Sequence, residues 1–152
     1  MDDNTISNNT ANEGGGIYGE ANSSFTGNLI SENTSRDGLG GGVYLNYWGL
    51  SKHNKAFDRN RVKDNRTGDG QGTGGICVTG TLEFNRNTIM KNTGFQFNNM
   101  NPSSTEVINA KDCFWGTTDL QKVANLIFDG KDDPDLSMID FEPVAQADTM
   151  GK

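Results

Sequence analysis

The chain has 152 residues, 32% of them hydrophobic, and a formal net charge of −7. That length allows one domain, no apolar run of about 20 residues exists to cross a membrane as a helix, and the acidic balance argues against a nucleic-acid partner. Leu, Ile, Val and Phe number only 30, whereas Asn (19) and Gly (20) fill about a quarter of the chain, too polar a mixture for an ordinary two-layer core.

The segment MDDNTISNNT (1–10) opens the chain, and its template returns as FTGNLISENT (25–34), FDRNRVKDNR (57–66) and FNRNTIMKNT (84–93). The pattern is Phe-x-x-Asn-x-[Ile/Val]-x-x-Asn, with Asn columns at Asn4, Asn28, Asn60, Asn87 and at Asn9, Asn33, Asn65, Asn92. A second family of segments alternates with the first: GGGIYGE (14–20), GGGVYLN (40–46), TGGICVTG (73–80) and GFQFN (94–98). A degenerate unit, VINAKDCFWG (107–116), follows, so matched slots recur every 24, 32, 27 and 23 residues.

Short alternating segments punctuated by Gly and Asn exclude helical repeats and predict an all-β fold, a parallel β-solenoid of about five coils. Successive coils lie about 4.8 Å apart, so equivalent residues stack. Phe25, Phe57, Phe84 and Val107 are expected to form one interior ladder. Ile17, Val43, Ile76 and Phe95 form a second, and Ile6, Ile30, Val62 and Ile89 a third. Asn suits the corners through its tolerance of left-handed backbone and through amide bonds to the next Asn. On these registered copies, residues 1–144 resemble the right-handed parallel β-helix proteins of the pectin-lyase-like superfamily.

The coils are expected over 1–116, a cap over 117–144 and a flexible tail over 145–152. In the cap, Thr118 with Gln121 forms a capping-box pattern, Leu120, Val123, Ala124 and Ile127 share one helical face, and Gly130 is placed as a stop. The run from Cys113-Phe114-Trp115 to Ile139, Phe141 and Pro143 resembles the closing segment of β-helix repeat proteins, although Cys113 stands where that family often has Asn. The helix would cover the last coil's open edges. Because Met1 already occupies the Phe slot, the N-terminal coil is expected to be uncapped. That favours a C-terminal piece of a larger protein, or a homodimer through that coil. No basic opening segment with an apolar core is present, so a secretion signal is expected to be absent or already removed.

Binding residues in solenoids sit on outward positions and on insertions. The insertions NYWGLSKHN (46–54) and NNMNPSS (98–104) leave the same corner. The first carries Tyr47, Trp48, Lys52 and the single histidine, His53, beside outward Tyr18 and Tyr44. These six are the candidate glycan contacts. The plainer reading, in which Tyr47 and Trp48 fold back over the insertion's own backbone, is favoured. Arg59, Arg61, Lys63, Arg86 and Lys91 form a basic stripe that Asp58 and Asp64 compensate. Calcium is the one cofactor that Glu13, Asp37 and Asp69 bring to mind, but turn formation is the preferred role for them, and no cofactor is expected. Cys77 and Cys113 are expected to be free thiols, since a disulfide needs Cα atoms within about 7 Å.

The functional expectation is a non-catalytic module of a larger exported or cell-surface bacterial protein, with a scaffolding, adhesion or polysaccharide-contact role. The alternative is a polysaccharide lyase or glycoside hydrolase of pectin-lyase-like fold. Against the latter, no clear set of paired carboxylates and no Asp cluster with Arg or Lys is read on adjacent coils of one face. Five coils also span only about 24 Å.

Overall fold

The computed structural model describes residues 1–20, 23–48 and 55–148. In chain order the strands fall into repeats. The first comprises β1 (Thr5–Ser7), β2 (Thr10–Ala11), β3 (Ile17–Glu20) and β4 (Ser24–Thr26). The second comprises β5 (Leu29–Ser31), β6 (Thr34–Ser35), β7 (Val43–Asn46) and β8 (Ala56–Asp58). The third comprises β9 (Arg61–Lys63), β10 (Arg66–Thr67), β11 (Ile76–Thr79) and β12 (Glu83–Asn85). Then come β13 (Thr88–Met90), β14 (Phe97–Asn99), β15 (Ile108–Asn109), α1 (Leu120–Leu126), β16 (Ile127–Phe128) and β17 (Ile139–Asp140).

Equivalent strands pair across repeats, giving sheets β1-β5-β9-β13, β2-β6-β10, β3-β7-β11-β14-β16, β4-β8-β12 and β15-β17. Every pairing between these strands is parallel. The chain is thus an all-β, solenoid-like stack of parallel sheets with one short helix.

Registered pairing builds the interior. Phe25, Phe57 and Phe84 align, with ring centroids 6.1 and 5.6 Å apart. Ile30, Val62 and Ile89 align on the next face, all fully buried. Two expected rungs are different. Phe97, not Phe95, pairs with Ile76, while Phe95 packs its ring 5.1 Å from Phe128. Ile108 is buried and Val107 is 53% exposed, so the fourth rung below Phe84 belongs to Ile108. A one-residue slip exchanges the two faces of a strand, and in a two-residue strand alternation alone cannot fix the phase.

The Asn columns are hydrogen-bonded ladders. Asn4, Asn28 and Asn60 each donate a backbone N–H to the side-chain oxygen of the next Asn, at 3.0, 2.9 and 2.8 Å. The ladder ends on a sulfur: the Asn87 N–H donates to Cys113 Sγ at 3.4 Å. The second column runs Asn9, Asn33, Asn65, Asn92 and ends on Gln96, whose Oε1 accepts the Asn92 N–H at 3.1 Å. The left-handed residue at each corner is the one before the ladder residue, not the Asn itself. Asp3, Gly27, Arg59, Arg86 and Asp112 precede one column and Asn8, Glu32, Asp64 and Lys91 the other, all with positive φ. That turn is what aims the following amide at the next repeat.

Glycine is required where repeats touch backbone to backbone. A Cβ on Gly41 would lie 2.4 Å from the Arg66 carbonyl oxygen and 2.7 Å from that of Gly74. Gly40 combines φ of +62° with a Cβ position 1.9 Å from the Val43 oxygen.

The cap helix is shorter than its sequence face implies. Asp119 rather than Thr118 is the N-cap, accepting from the N–H groups of Gln121 and Lys122. The helix stops at Leu126 rather than at Gly130, because Ile127 and Phe128 leave it to pair with Phe97 and Asn98. Strand pairing has overridden helical periodicity. Val123 is the helix residue buried in the core, and Leu120 is 43% exposed. Beyond it, the Asp129 carboxylate is buried and accepts from the N–H groups of Ile139 (2.8 Å) and Lys131 (3.0 Å), which organises the Asp-rich loop. Residues 145–148 of the expected tail are tied to the body. The Ala145 N–H bonds the Cys113 carbonyl at 3.0 Å, and Asp148 pairs with Arg61 and accepts from Thr88 Oγ1. No described helix is long and apolar enough to cross a membrane.

Candidate functional site

The ends of β3 and β7 position the aromatic candidates. Tyr18 pairs with Tyr44 in register, and their rings meet edge to face at 5.4 Å between centroids. Tyr18 is 46% exposed, whereas Tyr44 is largely covered, and burial pushes its phenol pKa up. Tyr47 is fully buried: its hydroxyl donates to the Ser23 carbonyl at 3.2 Å, and its ring lies 4.9 Å from the Lys55 ammonium. Burial also raises the Tyr47 phenol pKa and lowers that of Lys55. Trp48, one residue on, is 63% exposed. Lys52 and His53 lie outside the described residues. Among the candidates, Tyr18 and Trp48 therefore present open rings, and Tyr47 instead anchors the base of the insertion.

Beside Tyr18 lies a polar row that the sequence motifs did not single out. Glu20, Asn46 and Thr79 are in register at the last positions of β3, β7 and β11. Tyr18 Oη donates to Glu20 Oε1 at 2.9 Å, Asn46 Nδ2 donates to Tyr18 Oη at 3.4 Å, and Thr79 Oγ1 donates to Asn46 Oδ1 at 3.0 Å. The signal was available in the strand-final positions of IYGE, VYLN and ICVT. Alternation puts those residues on the same outer face as the second residue of each strand.

Four of the five cations of the basic stripe are compensated. Arg59 and Arg86 both bind Asp58, at 3.1 and 2.9 Å, Lys63 pairs with Asp64 at 3.1 Å, and Arg61 pairs with Asp148. Among the described residues no group of three or more His, Cys, Asp or Glu is arranged to hold a metal ion. A polar pocket of about 240 Å³ separates β12 from β15, with Glu83 and Glu106 among its walls.

Both cysteines are free and buried, and burial pushes each thiol pKa up to about 12. Only a thiolate alkylates at a useful rate. Iodoacetamide at pH 8 should therefore leave the folded protein unmodified and label both thiols in denaturant, with intact mass as the readout. Thiols with a raised folded-state pKa stabilise the fold fully below the unfolded value near 9, and this contribution is lost as pH rises toward 12. Rapid labelling of the native protein would contradict the buried placement.

No family model, no curated protein and no solved structure matches the chain. Its function has to be read from its own surfaces.

Proposed function

We propose that this chain is a non-catalytic right-handed parallel β-helix module of about five coils, of the pectin-lyase-like kind. In this reading it belongs to an exported or cell-surface bacterial protein and serves as a rigid scaffold that contacts glycans. Handedness is supported by the near-universal right-handed sense of connections between parallel strands. The observation that carries the glycan role is the exposed Tyr18 ring hydrogen-bonded into the Glu20–Asn46–Thr79 row, with exposed Trp48 two residues beyond Asn46 in the chain. Sugars present apolar C–H faces and a rim of hydroxyls, so an exposed aromatic surface next to mixed donors and acceptors complements both.

A glycan array tests this. The wild-type chain is expected to bind a subset of poly- or oligosaccharides, and Trp48→Ala to weaken that binding about tenfold, as truncating an aromatic anchor does. Binding that survives Trp48→Ala and Tyr18→Ala together would remove this corner from the reading. A second reading, a carbohydrate-active enzyme, draws on Glu83 and Glu106 lining one pocket, because glycoside hydrolysis uses paired carboxyl groups. Polysaccharide turnover by the wild type that is lost in Glu83→Gln would favour it.

A further inference from the structure

We propose that the groove between α1 and the corner after β13 is a binding site for a small amphipathic anion, an apolar body carrying one carboxylate or sulfonate. The groove has a volume of about 550 Å³, within the range of small-molecule sites, and its walls are predominantly apolar. Met90, Trp115 and Leu126 supply the apolar surface, and Lys91 and Lys122 stand on opposite walls.

Three features define the ligand class. First, no carboxylate among the described residues lines the groove, although the chain as a whole carries −7, so the two lysines make its lining locally positive. Among the described residues Lys122 pairs with Asp119 at 3.6 Å, with 72% of its side chain exposed, an i,i+3 contact of little energetic weight in water. Second, Trp115 is 1% exposed and its indole Nε1 is buried with no acceptor among the described residues. That nitrogen is closed off from solvent, so Trp115 faces the groove as an apolar wall and not as a donor to the ligand. Third, most of the exposed wall is apolar, supplied by Met90, Trp115 and Leu126, and this suits the hydrophobic body of the ligand. The groove exists because α1 ends early: Ile127 turns away to pair with Phe97, and Lys122, Asn125 and Leu126 are left facing the Met90–Lys91 corner across a gap.

The experiment titrates the folded protein with 8-anilinonaphthalene-1-sulfonate and, separately, with the neutral N-phenyl-1-naphthylamine, reading fluorescence. The sulfonate is expected to bind saturably at one site and to be displaced by octanoate. Lys91→Ala with Lys122→Ala should weaken it about fivefold to tenfold while changing the neutral probe less than about twofold. Asn125→Phe, at an exposed helix position, fills the groove and should abolish binding of both probes. Trp48→Ala and Lys111→Ala, both remote from the groove, should leave the sulfonate affinity unchanged, so loss of glycan contact and loss of this site are read separately. Non-saturable fluorescence, or sulfonate binding unaltered in the double lysine variant and in Asn125→Phe, overturns the proposal. Cooperative unfolding of each variant establishes that the loss is local.

Discussion

Asn65→Ala is expected to destabilise the fold by about 3–5 kcal/mol and lower the unfolding midpoint by roughly 10 °C. The side chain is almost fully buried and makes four hydrogen bonds. Its Oδ1 accepts from the backbone N–H and the Nδ2 of Asn33, both at 3.0 Å, and its Nδ2 donates to the Ile30 carbonyl at 3.0 Å and to Asn92 Oδ1 at 2.9 Å. Alanine leaves two donors of Asn33 without acceptors where water has no access, and each such orphan costs about 1–3 kcal/mol. Asn65→Asp should be at least as harmful, since it places an anionic acceptor against the Ile30 carbonyl and the Asn92 amide oxygen. Asn4→Ala is the control. Asn4 donates to Asn28 Oδ1 from its backbone N–H, which alanine keeps, and from its Nδ2, which it loses at an exposed position where water replaces the bond, so the cost should stay below about 1 kcal/mol. Urea unfolding of the three variants separates the cases, and equal costs for Asn65→Ala and Asn4→Ala would refute the ladder as the source of stability.

That ladder was largely legible in the sequence, because stacking converts a repeat spacing into a physical contact. The Phe25–Phe57–Phe84 and Ile30–Val62–Ile89 rungs follow from the same registration. The ladder ends were less legible. Gln96 lies only four residues after Asn92 and reaches back to take the next repeat's role, which no spacing rule anticipates. Cys113 takes the ladder place that Asn holds in the earlier repeats, and its service as a hydrogen-bond acceptor needed the geometry. Gly94-Phe95 resembles the Gly-Ile of the earlier repeats and so points to Phe95, whereas the residue that pairs with Ile76 is Phe97, two positions on.

The candidate site was legible in part and for a definable reason. Alternation located Tyr18 and Tyr44 on one outer face, but exposure there depends on what covers the face, and Tyr44 is covered where Tyr18 is not. Tyr47 and Trp48 are neighbours in sequence with opposite fates: one is locked to Ser23, the other open to solvent. The groove under α1 had no sequence signature. Leu120, Val123, Ala124 and Ile127 read as one continuous face, so nothing in the periodicity shows where strand pairing truncates the helix.

Phe57→Ala carries the second large effect, a loss of about 3–5 kcal/mol. Phe57 is fully buried between two rings, stacked on Phe84 at 5.6 Å with 6° between planes and tilted on Phe25 at 6.1 Å. Truncation removes the transfer energy of a benzyl group and leaves a cavity, and neighbours held by backbone ladders on both sides cannot collapse into it. Phe25→Ala should cost less: Phe25 is 6% exposed and its only ring neighbour in the ladder is Phe57, so part of its void opens toward solvent. Phe57→Leu, which keeps most of the volume, should cost under about 1.5 kcal/mol. A double-mutant cycle between Phe57 and Phe84 should return a coupling of about 0.5–1.5 kcal/mol beyond area, the worth of a stacked pair. A Phe57→Ala loss below about 1.5 kcal/mol would mean that repeats relax independently along the axis. A full-sized loss would mean that the interior rungs transmit packing from one repeat to the next. That transmission would run on beyond the Phe ladder, because Phe84 meets Phe97 at 5.1 Å and Phe97 meets Trp115 at 6.4 Å, an aromatic column that reaches the residues just before α1.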